Sequence, residues 1–186
     1  MVAAAVLAAT AAGIAGYLTT RGGSAVSRPP AITQTSIAGA KLGLAEAAYK
    51  KYFGPWKTFV LSEPGFPGLT FGQPQVSVFF PDPGQPAHII TTWNRTYRTA
   101  AGIGPCSMIA QMKKAYGAAV RPSWSGTSPD GKKVSQWAVG NNLIFATQDQ
   151  KTLSAVALYK GDPGYTGGGS PQAYAGYVAA VESPCK

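Results

Sequence analysis

Apolar positions recur along this chain with two periods. Over 44–54, Ala45, Ala48, Tyr49, Tyr52 and Phe53 fall at helical spacing, and Gly54 ends the run. Strand-like runs follow at 56–61, 69–71, 75–80 and 87–93, separated by Gly/Pro turns such as 63–68 and 81–86. Strict alternation in 75–80 places Val76, Val78 and Phe80 on one face. A second helical run covers 106–117, with Met108, Met112, Ala115 and Tyr116 on one face, and Cys106-Ser107 stands where a cap is needed. Strand-like runs follow again at 119–124, 134–139, 142–147 and 153–159, with a hairpin-type Gly140-Asn141 between the middle two.

The two helical runs end alike. Lys50, Lys51, Phe53 and Gly54 correspond to Lys113, Lys114, Tyr116 and Gly117, each offset by 63 residues. The pattern predicts an α+β fold: two tandem helix-plus-antiparallel-strand units, 37–98 and 99–160, forming one sheet with the helices on one face. Neither unit buries both its faces alone, so the expectation is a single domain over 37–186. It includes a C-terminal segment, 161–186, in which Tyr174, Tyr177, Val178 and Val181 have helical spacing. At the other end, residues 2–18 carry no charge and are mostly alanine. With the small residues of 22–27 they read as a signal peptide or N-terminal anchor over 1–27, followed by a linker over 28–36.

Composition changes the picture in two ways. Only 12% of the 186 residues are charged, yet the net charge is +9, which fits a polyanionic surface as partner. The basic residues are scattered, the longest runs being pairs, so specific nucleic-acid binding is not expected. Cys106 and Cys185 are the two cysteines. An even count after an apolar N-terminus predicts a disulfide in an oxidising compartment, and their separation excludes a CxxC redox or zinc motif.

Catalytic patterns are missing from the sequence. It contains no phosphate-binding loop, no HExxH and no GxSxG. The segment 102–107, Gly-Ile-Gly-Pro-Cys-Ser, has a proline where a phosphate nest needs an amide, and reads as a turn into the second helix. His88 is the single histidine, and no two carboxylates are spaced for acid–base work. No metal and no cofactor are expected. An enzyme would have to assemble a site from distant residues, His88 and Tyr97 first among them. Asn94-Arg95-Thr96 matches a glycosylation acceptor in a host that glycosylates.

A one-layer sheet with helices on one side has a second face, and aromatics dominate the strand-like runs. Trp56, Phe59, Phe79, Trp93, Trp124, Trp137 and Tyr159 therefore form the candidate binding surface.

The phrase Leu42-Gly43-Leu44, Tyr49, Phe53-Gly54, opening a helix-plus-sheet unit, resembles the β-lactamase inhibitor protein fold and the single-unit outer-membrane-assembly lipoproteins. The block 93–107 is similar to exported actinobacterial proteins with a Gly-Ile-Gly-Pro-Cys-Ser segment. The likeness spans about 37–160 and implies binding of proteins in the cell envelope or outside it, without catalysis. A lipobox cysteine and a second disulfide are missing, and inhibition of β-lactamase does not carry over. The expected function is that of an exported, non-catalytic protein-binding or cell-envelope protein, with another extracytoplasmic protein as partner. The alternative is a basic protein that binds a polyanionic or membrane surface.

Overall fold

The computed structural model describes residues 31–60, 67–127, 131–160 and Cys185. The expected signal or anchor segment and the C-terminal helical run lie outside the described residues. Residues 31–36, read as the end of a linker, belong to the fold. Ile32 is buried, bridges Ile37 and donates its amide to the Arg98 carbonyl.

Among the described residues, ten strands and two short helices follow one another. β1 (Ser36–Ile37) and β2 (Ala40–Lys41) form a two-stranded ribbon ahead of α1 (Glu46–Phe53). Then come β3 (Trp56–Val60), β4 (Pro67–Phe71), β5 (Val76–Phe79) and β6 (Ile89–Thr92). α2 (Ile109–Tyr116) leads through a 3₁₀ turn into β7 (Val120–Thr127), β8 (Lys133–Val139), β9 (Leu143–Thr147) and β10 (Ala155–Tyr159).

The expected α+β architecture of two helix-plus-strand units is corrected by this structure, which is mostly β. Strands β3 to β10 make one antiparallel sheet in the order β3-β4-β5-β6-β10-β9-β8-β7. The join is made by β6 and β10, whose residues pair from Ile89↔Tyr159 to Thr92↔Val156. Each helix has eight residues, little more than two turns. Tyr49 is the buried residue of α1, and Ile109 and Met112 are those of α2. The β-branched and aromatic strands carry the rest of one shared core, so the sheet and not the helices defines the fold.

Both helices rest on the same face of that sheet. Phe53 packs 5.6 Å from Phe71, Tyr49 lies edge-on to Phe80, and Tyr116 lies 5.7 Å from Phe145. Leu69, Val78, Ile90, Leu158 and Leu143 complete this layer. The opposite face holds a second apolar cluster of Phe79, Ile89, Ile144, Ala146, Ala155, Ala157 and Tyr159, with Phe59 against it. The helical faces read from sequence are only partly inward. Tyr49, Phe53, Met112 and Tyr116 point to the core, whereas Tyr52 and Met108 are exposed. Met108 precedes α2 instead of belonging to it, and its amide donates to Gln111 Oε1 at 2.9 Å.

Cys106 and Cys185 are bonded, with Cα atoms 5.2 Å apart. The segment around Cys106 is clipped to the start of the last strand. Cys106 N–H donates to the Leu153 carbonyl, and Leu153 N–H donates to the Ser107 carbonyl. Gly104 is required here, because a Cβ would stand 2.0 Å from the Tyr97 carbonyl oxygen. Such a disulfide is consistent with an oxidising compartment. No described helix is long and apolar enough to cross a membrane.

Candidate functional site

The seven aromatics of the expected surface fall in different places. Phe79 and Tyr159 are buried within the cluster opposite the helices, and Phe59 packs edge-on to Phe79 at 5.2 Å. Trp124, on β7, covers Val134 and lies against Gly126, where a Cβ would meet the indole at 2.4 Å. Trp93 is half-buried just beyond β6. Trp137 lies on the helix face, with Lys113 Nζ 5.7 Å from its ring centre. Trp56 is the one tryptophan among the exposed large hydrophobics, at 44% exposure.

Local sequence explains that position. Gly54 ends α1 with φ 71°, a conformation glycine adopts without strain, and Pro55 then starts an extended run. This reversal lays the last turn of α1 beside the first residue of β3. Lys50 Nζ sits 5.2 Å from the centre of the Trp56 ring and also pairs with Glu46. Trp56 is opposite Phe71 in the sheet and so shares the helix face. Phe53 covers Phe71, but β3 lies one strand further out, and the two-turn helix leaves Trp56 open.

Beside Trp56 is an apolar cleft of about 490 Å³, lined by Pro55, Trp56, Lys57, Thr70, Gly72 and Gln73. Its floor is the β4–β5 turn, which Tyr97 ties down by donating its hydroxyl to the Pro74 carbonyl at 2.6 Å. Lys57 is exposed and lines the cleft, and Lys51, exposed near the end of α1, has its ammonium 5.8 Å from the Tyr52 ring centre. Among the described residues the acids are Glu46, Asp82 and Asp149; Glu46 is paired with Lys50 and none of the three lines the cleft. The charge that the described residues place at the cleft is therefore positive. An aromatic wall under a cation, beside an apolar cleft, suits binding by contact area and charge.

The residues first suspected of acid–base work are otherwise employed. Burial raises the Tyr97 phenol, against a lowering hydrogen bond from Asn94, and its proton is directed at Pro74. Burial and then the Lys160 charge lower His88 below its ordinary 6.5. The backbone of His88 is held in the sheet, its amide donating to Phe79 and its carbonyl accepting from Lys160. The hydrogen bonds of His88 and of Tyr97 run to different partners. Among the described residues no group of His, Cys, Asp or Glu stands where it could hold a metal ion. In the turn after β9, burial would raise Asp149. Hydrogen bonds from Thr152, Lys151 and Thr147 outweigh it and hold the carboxyl below its usual range. That network closes a turn against the segment around Cys106 and serves the fold.

Comparison with family models, with curated proteins and with solved structures returned no match.

The sequence pointed to Trp56 as an aromatic on a strand, but not to its lysine lid or its cleft. One signal was present: a Lys-Lys pair, an aromatic-Gly stop and a tryptophan two residues later, Lys50 to Trp56.

Proposed function

We propose that this chain is an extracytoplasmic, non-catalytic binding protein whose contact surface is centred on Trp56. The observation that carries the reading is an exposed tryptophan held under Lys50 at the mouth of an apolar cleft. Exposed tryptophans beside pockets are the residue type that anchors protein interfaces. The partner is another protein of the same compartment. The Cys106–Cys185 bond and the uncharged run of 2–18 support the placement outside the cytoplasm.

The excess of positive charge favours a second reading, a polyanionic surface as ligand. Salt separates the two. Capture of a partner from the native envelope or culture fluid is expected to persist at 0.5 M salt and to fail for Trp56→Ala. Capture that vanishes with salt but ignores Trp56→Ala would assign the function to net charge instead.

A further inference from the structure

The eight-stranded sheet ends in two edge strands, β3 and β7, and the two differ. β7 is blunted: it contains Pro122, and its register with β8 shifts between Pro122 and Trp124. Proline and bulges are devices that stop another strand from adding to an edge. β3 has neither. Its five residues pair without a break from Trp56↔Phe71 to Val60↔Pro67.

The direction of its outer backbone groups follows from the ladder. The Pro67 carbonyl accepts from Phe80, so Pro67, Leu69 and Phe71 turn their backbone groups toward β5. Gly68 and Thr70 turn theirs toward β3, where they meet Phe59 and Lys57. That leaves the amides and carbonyls of Trp56, Thr58 and Val60 aimed outward. Among the described residues no strand pairs with them. The same three residues have exposed side chains, Val60 at 67%.

We propose that β3 accepts an extended, acidic segment of a partner protein as a ninth strand, with a side chain of that segment in the Trp56 cleft. The inference rests on the reading of Trp56 as a contact residue and specifies how the partner binds. Backbone pairing with Trp56, Thr58 and Val60 supplies the affinity, and the cleft selects one residue. Lys57 lines the cleft and Lys50 stands over Trp56, and among the described residues Glu46 is the acid that pairs with Lys50, so acidic residues flanking the docked strand match the charge.

The test uses the full chain and two acetylated ten-residue peptides, one alternating valine with glutamate and one alternating valine with lysine. The acidic peptide is expected to bind saturably, the basic one at least tenfold more weakly. Thr58→Pro removes an outward amide while leaving the pairing with β4, because proline is tolerated on an edge strand when its missing donor faces solvent. It is expected to weaken the acidic peptide at least tenfold with an unchanged melting temperature. Should Thr58→Pro not fold, Val60→Pro probes the same outward row. Equal binding by wild type and the proline variant, equal binding of both peptides, or no binding would overturn the proposal. So would a dimer abolished by Thr58→Pro without peptide binding, since the occupant would then be a second copy. Native-partner capture lost in Trp56→Ala but kept in Thr58→Pro would leave the contact surface standing and remove strand addition alone.

Discussion

Lys50 holds its ammonium 5.2 Å from the centre of the Trp56 ring, across the glycine that ends α1. This pair stands at the surface, so it organises a contact face more than it stabilises the fold. An exposed cation–π contact is worth about 0.5–1 kcal/mol. Trp56→Ala is therefore expected to lower unfolding stability by no more than about 1 kcal/mol in urea titration, while partner binding is lost. A loss several times larger would make Trp56 a core residue.

The disulfide acts on the fold. Its loop spans 79 residues, for which the chain-entropy model gives about 4–5 kcal/mol. Cys185→Ser is expected to approach that loss in urea unfolding, and reductant is expected to destabilise the wild type but not the variant.

Gly104→Ala tests the turn that carries Cys106. The new methyl would meet the Tyr97 carbonyl at 2.0 Å, with backbone on both sides of the clash. The expected outcome is a melting temperature lower by several degrees, as for a loss of about 1–3 kcal/mol from overpacking. Gly102→Ala offers a contrast, since no atom would touch its methyl and the cost there comes from its φ of 75° alone.

Stability is expected to fall in two steps with acid. Burial and the Lys160 charge lower His88, so the folded chain binds fewer protons there than the unfolded one. This contribution is complete above the ordinary pKa of 6.5 and is lost as pH falls through the lower folded value. Asp149 is lowered from 3.8 because its hydrogen bonds outweigh burial, so its contribution is present above that value and disappears at still lower pH. Urea midpoints measured against pH check this. His88→Gln should erase the first step and Asp149→Asn the second. Tyr49 behaves oppositely: burial lifts its phenol to about 12, against a lowering hydrogen bond from Leu44, so its contribution is complete below pH 10 and is lost as pH rises from there through about 12.

Much of the element order was legible in the sequence. The alternation of Val76 and Val78, and the β-branched run around Ile89–Thr92, mark strands that exist. Gly54 and Gly117 do end the two helices. What failed was the weight given to those helices. Spacing placed Tyr52 and Met108 on an inward face, but Met108 stands in extended backbone ahead of α2, and Tyr52 lies on the outer side of α1 beside Lys51. Alternation also tells which residues share a face, not which face is covered. Phe79 and Tyr159 were grouped with Trp56, yet they are buried and Trp56 is not. That difference depends on strand order, with Trp56 on an edge and Phe79 and Tyr159 well inside the sheet. Strand order arises from long-range pairing such as Ile90↔Leu158, which no local pattern encodes.

The Trp56 edge is the proposed meeting point of this protein with its partner. The most direct measurement keeps Trp56 and places a photo-crosslinking side chain at position 58, exposed two residues along β3, and in a control at position 125 on β7, in protein made by its own host. A discrete crosslinked band, containing a second extracytoplasmic protein, is expected from position 58 and not from position 125. No crosslink from position 58, or the same products from both positions, would contradict this reading.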